Sequence, residues 1–220
     1  MLFSYLHNKN TNEDPKTSTV IGQLLMLPDD ALWQILHQSC NGNEHLQKSC
    51  GKLINYDFWP HWKATDDIIN TNYVEPDAYL HFELLDVIIE AKFSNYGGQY
   101  SEQWGNEVVA YFNKYKYDNP VVLLSIGGIT SNEVTKVVVD GHDVKVFPCT
   151  WLSIRHAVDD YLNALPQDTS SINGLSPQRR ILEALIRYFD YVGEFQYKWF
   201  NSLPAIHIPA DSFDCFLMNF

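Results

Sequence analysis

The chain is short of cations. Its 15 lysines and arginines face 27 aspartates and glutamates, a net charge of −12, and only four of the cations are arginines: Arg155, Arg179, Arg180 and Arg187. A surface that grips a phosphate backbone unaided is usually basic. The balance therefore argues against tight, non-specific nucleic-acid binding by the isolated chain, while leaving a metal-bridged contact open. Long apolar runs are missing as well, and none approaches the roughly 20 residues that span a bilayer. The opening MLFSYLHNKNTNEDP has no charged start followed by a long apolar stretch, so it lacks the pattern of a secretory signal. The expectation is a soluble, cytoplasmic protein with no membrane partner. Cysteine is scarce, and Cys40, Cys50, Cys149 and Cys215 follow no framework spacing, which reads as free thiols. His37, Cys40, His45 and Cys50 are metal-ligand types close in sequence, but they match no common zinc spacing. A helix end followed by the polar loop NGNEHLQKS accounts for them better. A Gly-x-Ser-x-Gly elbow, a Walker loop, paired CxxC motifs and a Rossmann glycine fingerprint are also lacking.

What remains is a well-stocked interior. The 220 residues are 45% hydrophobic and 14% aromatic, enough for one substantial core. Residues 11 to 39 read as a helix capped by Thr11, with Val20, Ile21, Leu24, Leu25, Leu32, Ile35 and Leu36 on its apolar face and a break near Pro28. Strand-like runs follow at 52–59, 77–84 and 86–93, the last two joined through FELLD as a hairpin. A helix is expected over 99–117. VVLLSIGG (121–128) has the unbroken apolar character of a buried strand. Residues 135–140 and 143–148 read as a hairpin, with His142 a turn residue. Thr150 caps a helix to Leu165, and Ser176-Pro177 starts another that stops near Gly193. The C-terminal DSFDCFLMNF is apolar and is expected to dock on the body. This order predicts an α/β protein, a central mixed sheet flanked by helices.

The strand DVIIEAKF carries a glutamate and a lysine two residues apart, Glu90 and Lys92. Residues two apart on a strand share a face. If the preceding strand folds back, Asp77 comes near Glu90, which places two carboxylates and one ammonium at one edge of a sheet. Such oxygens suit a divalent metal such as Mg²⁺. The metal polarises a phosphodiester and acidifies a bound water, and a neighbouring lysine can orient or deprotonate that water and neutralise developing charge. On its own, Glu-x-Lys is also a common surface pair worth about 0.2–1 kcal/mol. A second candidate contact is the tract with Tyr111, Lys114, Tyr115, Lys116 and Tyr117, which interleaves rings and charge as a single-strand binder does or forms a core stripe with wet tips. The adjacent pair Arg179-Arg180 sits early in a helix, where it equally suits a solvated face.

Asp77 followed by Glu90-Ala91-Lys92 resembles the core motif of the PD-(D/E)xK nuclease superfamily, the restriction-endonuclease-like fold, and Pro76-Asp77 supplies its "PD". The flanks carry the resemblance further. NEDPKTSTVIGQLLMLP is similar to an opening helix bearing a glutamate, here Glu13. FWPHW (58–62) looks like a strand that precedes the motif. SEQW (101–104) stands where a glutamine follows on the next helix, here Gln103. The likeness covers roughly residues 11 to 165, with a helical extension from about 176 to 220, in one domain over 1–220. It implies metal-dependent hydrolysis of nucleic acid, DNA ahead of RNA with both left open, often in restriction, repair or antiviral defence. Asp77 and Glu90 would hold Mg²⁺ or Mn²⁺, and Lys92 would position or activate water. Glu13 would be an outer metal or water ligand, although the helix dipole also favours an acid there. Gln103 would orient Lys92 or contact substrate, or is simply an exposed helix residue. The acidity implies a homo-oligomer or a partner protein that delivers substrate, and it keeps open an alternative, a catalytically silent member of the fold used for binding.

Overall fold

The computed structural model describes residues 13–63, 73–115, 119–166 and 175–195. Its centre is a six-stranded mixed sheet built from β1 (Leu53–Phe58), β4 (Ala78–Phe82), β5 (Asp86–Ala91), β6 (Val121–Ile126), β7 (Thr135–Val139) and β8 (His142–Cys149), in the order β1-β4-β5-β6-β8-β7. β1, β4 and β5 form an antiparallel meander, β5, β6 and β8 run parallel, and β7 returns antiparallel on β8. The expected mixed α/β sheet is present. Two further strands, β2 (Trp62–Lys63) and β3 (Tyr73–Val74), pair with each other in a small separate sheet. FWPHW therefore does not form a strand of its own: β1 ends at Phe58, and the chain turns at Trp59, whose φ of 51° interrupts extended backbone.

Period-two alternation sorts the strand residues onto two cores. Ala78, Leu80, Val87, Ile89, Ala91, Leu124 and Phe147 face α1 (Glu13–Leu24), α2 (Asp29–Ser39), α4 (Trp151–Ala164) and α5 (Leu175–Tyr191). Tyr79, Ile88, Leu123, Val144 and Val146 face α3 (Ser101–Tyr115), with Trp62 and Val74 from the small sheet. Leu182, Leu185 and Phe189 of α5 belong to the first core, so this helix is packed into the same body as the sheet. The helix expected over 11–39 divides in two. Pro28 has no N–H to give and restricts the residue before it, so α1 closes with a tight turn through Leu24 and α2 restarts after Pro28. The Thr11 cap and the C-terminal DSFDCFLMNF lie outside the described residues.

Turn chemistry is local. β7 and β8 are joined by Asp140-Gly141, both with positive φ (49° and 81°), the conformation that a two-residue hairpin requires. His142 is thus the first residue of β8, paired with Val139, rather than part of the turn. Thr150 caps α4 in a reciprocal pair of bonds with Ser153, as its position predicts. Among the described residues, no helix is long and apolar enough to cross a membrane.

Candidate functional site

The parallel strands β5 and β6 are linked through α3, which lies on one face of the sheet, while α4 follows β8 and lies on the other. Ligands of open α/β sheets bind outside the carboxyl ends of the strands where connections diverge in this way. Glu90 sits at that end of β5. It shares its face with Ile88, so its carboxylate enters the layer under α3, and it is 2% exposed. β5 lies between β4 and β6. The pair expected at a sheet edge is instead at the end of an interior strand, which is why it is buried.

An ionised carboxylate in such a place needs partners. Glu90 Oε1 accepts from Lys92 Nζ in a very short contact and from Gln103 Nε2 at 2.6 Å. Lys92 follows the last residue of β5, and its backbone N–H still bonds Ile126 O at 2.7 Å, so the strand direction is kept long enough to bring both side chains to one face. Asp77 precedes β4 and is also buried; its Oδ2 accepts the Ala91 N–H at 2.7 Å. The β4–β5 hairpin, with Ala78 opposite Ile89, makes that contact possible. Gln103 holds the Glu90 carboxylate that Lys92 also grips. Glu13 is the first residue of α1, and its side chain lies outside the described part.

Sequence reasoning missed Glu107. It stands one helical turn after Gln103 on α3 and is 1% exposed. Burial raises its pKa well above the ordinary carboxyl value, and the charge of Glu90, a hydrogen bond with Glu90 and the charge of Asp77 push the same way, against the pull of Lys92. Its Oε2 has no hydrogen-bond partner. The signal was in the spacing: Gln103 and Glu107 are i and i+4, one face of a helix. Also unforeseen were Gln99, whose side-chain amide donates to Glu90 O at 3.0 Å and Gly127 O at 3.3 Å, and Ser125, the buried β6 partner of Glu90. Gly127 and Gly128, both at positive φ, close β6 beside Lys92. A Cβ on Gly128 would stand 2.6 Å from Lys92 Cγ, and one on Gly127 would stand 2.4 Å from Lys92 O.

The residues fit a hard divalent cation. Asp77 and Glu90 are oxygen donors, and Glu107 stands beside them, its pKa raised first by burial and then by the charge of Glu90. No group of three or more His, Cys, Asp or Glu among the described residues is arranged to hold a metal. Two carboxylates nevertheless match Mg²⁺, which keeps several waters and binds through one or two carboxylates plus substrate phosphate. Cys40 and Cys149, by contrast, are buried free thiols on segments that meet in an isolated backbone β-bridge, whereas His45 is exposed.

The aromatic tract divides. Tyr111 is fully buried, and its hydroxyl donates to Asp86 Oδ2 at 2.5 Å; Tyr115 packs on Tyr79 with ring centroids 4.9 Å apart. These two form a core stripe and offer no stacking surface. Lys116 and Tyr117 lie outside the described residues. Arg179 bonds Leu165 O and Pro166 O, both at 3.4 Å, whereas Arg180 is exposed.

No protein-family model matches the chain. It is 30% identical over 156 residues to an uncharacterized protein of Pasteurella multocida (strain Pm70). The match takes in 62% of this chain and 57% of that protein, so the chain spans little more than half of that relative's length.

Proposed function

We propose that this chain is a divalent-metal-dependent nuclease of the PD-(D/E)xK type, hydrolysing phosphodiester bonds in nucleic acid, with DNA as the first candidate and RNA as the second. The observation that supports the reading is the burial of Glu90 at a strand's carboxyl end, gripped by Lys92 and Gln103 and backed by Glu107. Concentrating carboxyl groups in an interior costs stability, and a site that has to bind a cation and move a proton gives that cost a purpose. Asp77 and Glu90 would hold Mg²⁺ or Mn²⁺, with Glu13 as an outer ligand. The bound ion supplies Lewis acidity and a water of lowered pKa. Lys92 would orient the attacking water as an ammonium or, once it has lost its own proton to solvent, accept the water's proton at Nζ. Gln103 fixes the Glu90 carboxylate. The net charge of −12 requires help in bringing a polyanion close, which a basic partner protein would supply; assembly as a homo-oligomer and a role in restriction or antiviral defence in the cytoplasm belong to the same proposal.

One observation favours a second reading, a silent member of the fold that binds a partner. Lys92 Nζ is spent on Glu90 itself, closing the pair. The test separates the two. End-labelled single- and double-stranded DNA and RNA are incubated with Mg²⁺, Mn²⁺ or chelator, using the wild type, Glu90→Ala and Lys92→Ala. Metal-dependent cleavage that both substitutions abolish is the expected result. Absence of cleavage on every substrate, with no ion bound by calorimetry, overturns the nuclease reading in favour of the silent one.

A further inference from the structure

A groove of about 300 Å³ opens directly beside the candidate site. Its floor includes Gln99 and Ser125, the residues that bond the Glu90 carbonyl and pair with Glu90 across the sheet. Its walls are the start of α3, with Tyr100 and Trp104, and the chain after β6, with Thr130 and Ser131. A volume of this size lies at the small end of ligand pockets, sufficient for one ring system rather than a duplex.

The lining chemistry selects the kind of group. Among the described residues, no lysine, arginine or histidine lines the groove, and the charged residue that does is Glu133. A phosphate is therefore poorly served inside it. An uncharged ring with a hydrogen-bonding rim is well served, because the lining offers hydroxyls and aromatic faces. Trp104 donates its indole N–H to Gln99 Oε1 at 2.8 Å, so its edge is fixed and its ring is held in place. Tyr100 is 66% exposed, so its ring presents an open aromatic surface at the groove. Stacking on aromatic rings is how bases outside a duplex are commonly held.

We infer that this groove holds the nucleobase next to the scissile phosphate, so that the substrate is a single-stranded or locally unstacked nucleic acid. The inference rests on the nuclease reading for the position of the phosphate. The base enters between Tyr100 and Trp104, and its phosphodiester is thereby delivered to the carboxyl end of β5. An enzyme that must extrude a base from an intact duplex meets an unstacking cost, which a single strand avoids.

The experiment is calorimetric titration of the full chain, in chelator, with the deoxyadenylyl dinucleotide and with the same dinucleotide lacking either base. Inorganic phosphate serves as the base-free control, and Tyr100→Ala, a change at an exposed side chain, is run alongside. Loss of one base is expected to weaken binding about 10-fold. Tyr100→Ala is expected to remove most of that difference, and phosphate is expected not to compete. Equal binding with and without bases, or no binding of either dinucleotide, overturns the inference. Equal binding combined with intact metal-dependent cleavage discards the groove and keeps the nuclease. Base-dependent binding combined with no cleavage keeps the groove and discards the nuclease.

Discussion

Glu107 hydrogen-bonds to Glu90 beneath α3, and burial together with the Glu90 charge holds the Glu107 proton on. Two acids meet in one interior, and the second stays neutral further up the pH scale than an exposed carboxyl. Glu107→Gln keeps the shape and the neutral form, so thermal unfolding should remain within about 0.5 kcal/mol of wild type. Glu107→Leu removes the bond and leaves the Glu90 carboxylate with a lost partner; it should cost about 1–3 kcal/mol. Urea titrations of the two variants check the contrast. Equal losses in both would mean that the hydrogen bond contributes nothing.

Gln103 acts on Glu90 through a 2.6 Å bond and is only half-buried. Gln103→Leu should leave the fold nearly intact while lowering cation affinity about 10-fold, the usual penalty for losing a group that orients a ligand. Calorimetry with Mn²⁺ measures it. An unchanged affinity would show that Lys92 alone sets the carboxylate.

Gly128 is a steric requirement of Lys92. An alanine there adds left-handed backbone strain of about 1–2 kcal/mol and a Cβ 2.6 Å from Lys92 Cγ. Gly141→Ala carries the same class of strain in the β7–β8 turn with nothing within 4 Å of the new atom. Both variants should lower the melting temperature, and only Gly128→Ala should suppress cleavage. Equal activity in the two would remove Gly128 from the site.

Lys16 of α1 is buried against Glu194, with Nζ 2.7 Å from Oε1 and 3.0 Å from Phe93 O, and it lies over the rings of Phe93 and Trp151. Burial lowers its pKa, while Glu194 opposes the shift. Glu194→Ala leaves an uncompensated buried cation and should cost about 3–5 kcal/mol. Lys16→Met, which keeps the length and removes the charge, should cost clearly less, and the double variant should recover most of the loss. Chemical denaturation of the cycle decides it; additive losses would show that the pair does not interact.

Cys50 supplies a pH dependence. Burial pushes its thiol from 9.0 up to about 12, with the Asp29 charge acting in the same direction. The unfolded chain releases this proton first, so the contribution is complete below pH 9 and is lost as pH climbs toward 12, at about 1.4 kcal/mol per pH unit at most. Urea midpoints should fall from pH 9 upward, and Cys50→Ala should flatten part of that fall. An identical slope in the variant would place the effect elsewhere.

Much of the scaffold was legible because it is periodic. β5 is a strand whose residues two apart share a face, so Glu90 and Lys92 could be put together, and FELLD marked the hairpin that carries Asp77. Pro28 announced the break between α1 and α2. Glu107 was hidden because its helical face acquires meaning only when α3 docks, and the docking angle is a tertiary property. The burial of Glu90 was hidden for a related reason, since strand order decides whether β5 is an edge, and strand order is not written in the local pattern. Of the two readings of the tyrosine tract, the core stripe holds for Tyr111 and Tyr115, because Tyr111 finds its polar partner, Asp86, at the start of β5. β2 and β3 are too short for any alternation to show.

Every polar side chain gathered around Glu90 within the hairpin and α3 comes from one continuous piece of chain, Asp77 to Glu107. Contacts of such short sequence separation close small loops, and small loops lose little entropy on closing. The constellation therefore draws on one hairpin and the helix that follows it, and needs no distant segment to bring its side chains together.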